Sequence, residues 1–531
     1  MMKDASLLLH APPGAATARR ARCFAARKSP SPLRASRAVV GGARRPRPAA
    51  APLGATSSSK SDTWEDEFTS LDDRKADDPM PLPNLTKRKR IILVRHGQST
   101  WNAHGRMQGS SNNSELTEKG AGQAAVTKSL LENAKFDASW VSPLKRAQST
   151  ADIVWSSSEV KPQVLTSLRE IDLYSFQGLI KQEAEKEYGE VYKLWKKHPA
   201  QFEIDGHYPV RELWFRASMA WQSILRSDAT NSLVVAHNAI NQAMICAATG
   251  LPPNYFRRFI QSNGALTAID FFPNPSAQGR PKIVIDRMNQ SPVTPSWSKT
   301  RKESTSQKFV LIRHAATDST DNATILGTLD HENLNKKGKK QVQSINTFLK
   351  DLQVDKVLCS PTKRTVQTGY QLAKNQKHKE VEVKLEERLS NIYLGEWQGK
   401  SAASLRGQPP PKDAESLNIL HERTSEAWLD IVQQAAMDGS KCTVVVGHAA
   451  VIAAILCSTL ELAPEFSSLF RLTPGSISVV TFPMGVLNGP GNVICTNFTT
   501  HLGKLADGDP TLQSDEDLFA DFETCDWDGC F

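Results

Sequence analysis

The chain has 531 residues, 39% of them hydrophobic and 23% charged, with a formal net charge of +9. The length exceeds one ordinary core, so two or three domains are expected. Residues 1–61 hold twelve Lys or Arg against one acid, Asp4, which leaves a body of net charge −2 and no electrostatic footprint for nucleic acid.

Residues 1–60 are rich in Arg, Ala, Ser and Pro and have no sustained apolar segment, so they cannot fold alone. Their composition is that of an organelle transit peptide, and the expected destination is the chloroplast stroma; the alternative is a basic disordered arm that binds polyanions. Residues 61–87 read as a disordered lead-in. A first domain is expected over 88–290, a Pro/Ser/Lys-rich linker over 291–307, a second domain over 308–502 and an acidic tail over 503–531, with nine acids and one Lys. The longest apolar run, residues 449–457, is too short to cross a bilayer, so no membrane is expected as a partner.

An internal repeat sets this division. Ile91-Ile92-Leu93-Val94-Arg95-His96-Gly97 is matched by Phe309-Val310-Leu311-Ile312-Arg313-His314-Ala315. The same spacing carries through Leu116/Leu334, Gly120/Gly338, Ser142-Pro143/Ser360-Pro361 and Lys145-Arg146/Lys363-Arg364. Phe176-Gln177-Gly178 then matches Trp397-Gln398-Gly399, and Val235-Ala236-His237 matches Val446-Gly447-His448. So many correspondences in one order mean two copies of one domain. Each copy opens with consecutive apolar residues, read as a buried parallel strand ending at Arg-His. A helix is expected from Leu144 and another after His237, where Ala239, Ile240, Ala243, Met244 and Ala247 recur at helical spacing. Strands alternating with helices predict α/β domains with a parallel central sheet, whose ligands bind at carboxyl ends of strands. Arg95-His96, Ser142-Pro143 and His237 all fall there.

The residues at those ends suit phosphoryl transfer without a metal. His96 supplies a neutral imidazole nucleophile. Arg95 and Arg146 bind the non-bridging oxygens through charge-assisted hydrogen bonds. His237, if protonated, adds a donor, and the helix after it offers free backbone amides to the same anion. Glu170, in Leu168-Arg169-Glu170-Ile171, is the candidate general acid and then base. Gly97 is expected to let the backbone approach the phosphate. Each residue alone is ordinarily structural; it is their combination, in order, that points to chemistry.

The motifs Arg95-His96-Gly97-Gln98-Ser99-Thr100-Trp101-Asn102, Gln108-Gly109, Leu116-Thr117-Glu118-Lys119-Gly120, Ser142-Pro143-Leu144-Lys145-Arg146-Ala147 and Val235-Ala236-His237 resemble those of the histidine phosphatase superfamily, in its phosphoglycerate mutase-like branch. The resemblance implies two tandem three-layer α/β/α histidine-phosphatase-like domains, a phosphohistidine intermediate and no metal or cofactor. It places Arg95, His96, Arg146, Glu170 and His237 in the catalytic pocket, Asn102 against the phosphate and Gln108-Gly109 along the site. Gln98 stands where the family usually has Glu. The expected partner is a small anionic sugar phosphate. Residues 206–216 resemble the phosphatase branch more than the mutase branch, so hydrolysis is preferred to phosphoglycerate mutase chemistry. A phosphate-binding module without activity is the other rival, and no GxxxxGK[ST] loop supports a kinase. Nothing in the pattern sets an oligomeric state.

The second copy reads as degenerate. Arg313, His314, Arg364 and His448 persist, whereas Asn391 replaces Glu170, Ala315 replaces Gly97, Thr320 replaces Asn102, Thr324 replaces Arg106 and Leu326 replaces Gln108. The competing expectation is that Glu386, Glu387 or Glu396 swings in as a substitute acid. Of eight cysteines, Cys246, Cys442, Cys457 and Cys495 read as buried apolar residues, and Cys525 and Cys530 as a candidate redox pair in the tail.

Overall fold

In β1 (Lys89–Arg95), Ile91 and Leu93 join one apolar cluster while Ile92 and Val94 join another. A strand with two apolar faces needs cover on both, and the chain provides it with helices. The computed structural model describes residues 80–156, 160–274, 280–291, 295–298, 306–376, 381–405, 407–483, 485 and 489–503. The segment expected to be a transit peptide, the lead-in up to residue 79, and the tail from 504 with Cys525 and Cys530 lie outside the described residues.

After β1 the first copy runs through α1 (Glu118–Leu130), β2 (Ala138–Val141), α2 (Lys145–Val154), β3 (Gln163–Val164), α3 (Lys181–Lys197), α4 (Pro209–Arg226), β4 (Asn231–Ala236), α5 (Asn238–Thr249), β5 (Leu266–Phe272) and β6 (Lys282–Gln290). The second repeats the plan, without a counterpart of α3 among the described residues: β7 (Gln307–Arg313), α6 (Lys336–Phe348), β8 (Lys356–Cys359), α7 (Lys363–Lys374), β9 (Val383–Leu385), α8 (Leu417–Met437), β10 (Cys442–Gly447), α9 (Ala449–Leu460), β11 (Ile477–Phe482) and β12 (Asn492–Phe498). The expected helices after Leu144 and His237 are α2 and α5.

Among the described residues the twelve strands form one sheet, in the order β3-β2-β4-β1-β5-β6-β12-β11-β7-β10-β8-β9. The expected parallel core is there, since β3, β2, β4 and β1 run parallel, but β5 and β6 are antiparallel. The reason is connection length: parallel neighbours need a crossover, and β5 and β6 follow each other directly.

The copies meet edge to edge at β6 and β12, where Met288 pairs with Thr496. Two crossing bridges flank this seam, Phe259 with Val493 and Ile285 with Phe470. One apolar layer runs under both copies, holding Trp214, Trp221 and Ile240 together with Phe309, Trp428 and Ile452. Within the seam the fully buried Asp286 accepts from Arg471 at 2.8 Å and also pairs with Arg90. Burial opposes its charge, but Arg287, Arg90 and Arg471 together hold the carboxyl well below its usual range. The segment expected to be a plain linker is partly structural. Trp297 packs edge-on against Phe348 and Phe498, Ser298 is buried, and Gln307 already opens β7. Its Pro/Ser composition concealed one large aromatic that finds an apolar wall.

Candidate active site

In the first copy the strand ends converge as their positions predict. His96 follows β1 and is buried; its Nδ1 donates to the Gly97 carbonyl at 2.6 Å, which leaves the neutral ring's lone pair on Nε2. Burial, then Arg95 and Arg146, push its pKa well below the ordinary histidine value, so it is neutral near pH 7. His237, at the head of α5, lies with its ring 5.0 Å from that of His96. Ser142 holds its Nε2 at 2.7 Å, while Nδ1 has no protein partner among the described residues. His237 rests neutral, held so by burial, Arg146, His96 and Arg95; its charged form is expected only beside a phosphate. A neutral ring that accepts from Ser142 at Nε2 still donates from Nδ1, so the donor survives without the charge.

Arg146 lies buried on α2. Its two terminal nitrogens donate to the carbonyls of Ser111 (2.7 Å) and Gly109 (2.9 Å). Arg95 donates to the Gln261 carbonyl at 2.6 Å. Nε of each guanidinium is unpaired within the described residues. Burial lowers both to about 10, and both remain cationic. Asn102 closes a capping box with Ser99, and Gln108 accepts from the Ser99 hydroxyl at 2.8 Å. Gln98, the family departure, is turned toward Thr117 at the head of α1.

Two expectations change. A Cβ on Gly97 would lie 2.2 Å from the Gly120 carbonyl, so this glycine admits the head of α1 rather than a phosphate; it serves the site through its own carbonyl. Nor are the amides of α5 free. Glu170 accepts from Ala239 N and Ile240 N at 3.1 Å, and from its neighbour Ile171 N at 2.9 Å. Three amides fall on Oε1 and one is shared with Oε2, so Oε2 is the oxygen left for a proton.

The second copy keeps half of this arrangement. His314 donates to the Ala315 carbonyl, the rings of His314 and His448 are 5.2 Å apart, and Ser360 holds His448 Nε2 at 2.9 Å. Arg364 donates to the carbonyls of Leu329 and Gly327 as Arg146 does to its own pair. Asn391, however, turns the other way from Glu170: its Nδ2 donates to the Gly327 carbonyl at 3.0 Å. Thr320 folds back on Thr317. None of the substitute acids replaces Glu170. Glu386 is bound by Arg388, and Glu387 and Glu396 are exposed.

Several positioning residues escaped the motif reading. Arg216 on α4 donates to the carbonyls of Arg169 and Glu170 and so fixes the acid's backbone; Arg423 does the same for Ser390 and Asn391. Asn263 donates to the His96 carbonyl and to Asn102 Oδ1, both at 3.1 Å. Asn289, at φ 54°, accepts from Ser262 N at 2.7 Å and donates to Ile494 of β12 at 2.7 Å, joining the second copy to the loop that holds Arg95. Asn497, at φ 46°, mirrors it, accepting from Thr473 N and donating to the Asp286 carbonyl. Extending the repeat to Asn289/Asn497 and Arg216/Arg423 was the signal that could have found them.

Five cysteines, Cys246, Cys359, Cys442, Cys457 and Cys495, are free and buried. Burial pushes the thiols of Cys359, Cys442 and Cys457 up to about 12, so they are inert apolar residues. Among the described residues no helix is long and apolar enough to cross a membrane, and no His/Cys/Asp/Glu cluster could hold a metal ion.

Comparison with known proteins agrees with this geometry. A 2-carboxy-D-arabinitol-1-phosphatase of Triticum aestivum is 38% identical over 441 residues, covering 80% of this chain and 88% of its own. A probable 2-carboxy-D-arabinitol-1-phosphatase of Arabidopsis thaliana is 37% identical over 78% of this chain and 88% of its own. Phosphoserine phosphatase 1 of Hydrogenobacter thermophilus is 28% identical over 34% of this chain and 85% of its own. The family model of the histidine phosphatase superfamily (branch 1) matches twice, at residues 91–278 and 309–486. With paired Arg-His strand ends in each copy and a family match to each, the chain belongs to the histidine phosphatase superfamily and is a phosphatase.

Proposed function

We propose that the chain hydrolyses 2-carboxy-D-arabinitol 1-phosphate at the first-copy site, in the chloroplast stroma, and thereby removes an inhibitor of Rubisco. The observation that carries the substrate is the similarity, over about four-fifths of the chain, to a 2-carboxy-D-arabinitol-1-phosphatase and to a probable one. The basic, acid-poor segment 1–61 supports the location.

The chemistry follows from the geometry. The phosphate dianion lies between Arg95, Arg146 and His237 Nδ1. His96 Nε2 attacks phosphorus as the P–O bond to the sugar breaks. Glu170 Oε2 gives a proton to the departing alkoxide, and the ionised carboxylate then takes one from water. That water attacks the phosphohistidine, releasing inorganic phosphate and neutral His96. The guanidiniums keep their places throughout, because the carbonyls of Gly109, Ser111 and Gln261 hold them, so little reorganisation is needed as charge moves.

The test is phosphate release by the full chain from 2-carboxy-D-arabinitol 1-phosphate, phosphoserine and 3-phosphoglycerate, with chelator and no bisphosphate primer. The expected result is fastest release from the first. Interconversion of phosphoglycerates with little free phosphate would establish the mutase reading instead. Import of a fluorescent fusion by isolated chloroplasts tests the location.

A further inference from the structure

We propose that the second copy's pocket is a non-hydrolysing binding site for a phosphate dianion, either inorganic phosphate or the phosphate end of a monoester. The starting point is the opposite orientation of Glu170 and Asn391. In the first copy a carboxylate occupies the amides of Ala239 and Ile240 at the head of α5. In the second, Asn391 turns to Gly327, and nothing among the described residues accepts from the equivalent amides of Ala450 and Val451, both buried residues at the head of α9. Those amides point to an acceptor that the protein does not supply.

The side chains around them independently call for the same ligand. Arg364 and His448 are 1% and 2% exposed, yet Arg364 Nε and His448 Nδ1 have no protein partner. Ser360 fixes His448 from the Nε2 side, so its free nitrogen lies on the other side of the ring. His314 is fixed through Nδ1 and leaves Nε2 free beside it. Burial, Arg313 and Arg364 keep His314 neutral, and burial with His314, Arg364 and Arg313 does the same for His448. Asp330 and Glu332 face Arg364 and favour its charged form; each is tied to another donor, Asp330 to the Lys363 amide and Glu332 to Ser319, while its own negative charge remains. The site therefore offers cations, imidazole nitrogens and helix amides, the donor set of a tetrahedral oxyanion.

The same substitution explains why binding is not followed by turnover. An amide side chain can neither protonate a departing alkoxide nor deprotonate water. One contact expected along the site is also gone, with Leu326 in place of Gln108.

The experiment is calorimetric titration of the full chain with inorganic phosphate, then of full-length His96→Ala, in which the monoester is not turned over, with glycerol phosphate to separate the two sources. It reads binding without turnover, so the failure of this site and the failure of the proposed hydrolytic function are separate results. The expected stoichiometry is two phosphates per chain, one in Arg146→Gln, one in Arg364→Gln and none in the double variant. One phosphate per chain that persists in folded Arg364→Gln and is lost in Arg146→Gln, or two in folded Arg364→Gln, overturns the proposal. Asn391→Glu serves as a second variant that keeps every cation. By supplying a carboxylate to the α9 amides it should weaken the second site by about tenfold or more. An unchanged second affinity there also overturns it.

Discussion

The two copies share most of a backbone plan, and among their differences one side chain at one loop turns in opposite directions. In the first, Glu170 occupies the head of α5 and leaves one oxygen over for proton transfer. In the second, Asn391 leaves the head of α9 and bonds to Gly327. The comparison teaches that the anion pocket and the proton donor are separable parts. Arginines, histidines and their carbonyl clamps can persist without the carboxyl group, and what remains is a receptor for phosphate.

The largest effect expected from this difference is between the two histidines. His96→Ala should lower kcat by about a thousandfold or more, whereas His314→Ala should change it by about threefold or less. Steady-state phosphate release, with circular dichroism to check folding, measures both. Equal losses in two folded variants would break the assignment of chemistry to one copy. Next comes Glu170→Gln, which imitates the second copy in the first. Its kcat should fall by about a hundredfold or more while phosphate affinity holds or rises. A fall in affinity with kcat unchanged would make Glu170 a helix cap and nothing else.

Acid should act on both copies alike. His96, His237, His314 and His448 all have folded pKa values well below 6.5, from burial first and then their charged neighbours. The unfolded chain binds more protons than the native one below that value. Stability is therefore complete above about pH 6.5 and is lost as pH falls, by up to about 1.4 kcal/mol per pH unit for each imidazole. Denaturant titrations at a series of pH values should show the slope shrinking similarly in His96→Ala and His314→Ala. A slope unchanged by either substitution counts against buried neutral histidines.

The smallest effect sharpens the comparison at the seam. Asn289→Ala removes the bonds from Ser262 N and to Ile494, so β12 no longer steadies the loop behind Arg95. A loss of about 1–2 kcal/mol in stability and a fall in kcat are expected. Asn497→Ala cuts the mirror contacts and should cost similar stability while leaving kcat nearly as it was. If both variants lose turnover equally, the seam acts on the enzyme as a whole and not loop by loop.

The sequence by itself determined the two-copy plan, the strand ends and the residues that gather there. A repeat in fixed register and short apolar runs ending at Arg-His, Ser-Pro and His leave little freedom in placing β1, β4, α2 and α5. It also determined the loss of the acid at Asn391, because residue identity alone decides whether a proton can be given. Side-chain direction was another matter. Whether Gly97 faces a phosphate or Gly120, whether α5 shows free amides or bonds to Glu170, and whether His237 is charged all depend on contacts between segments far apart in the chain. The fusion of two sheets into one at β6 and β12 was equally hidden, since an edge strand shows no partner in its own pattern. Only the tertiary structure decided these points, because desolvation and hydrogen-bond direction are properties of what surrounds a group, and local sequence does not specify the surroundings.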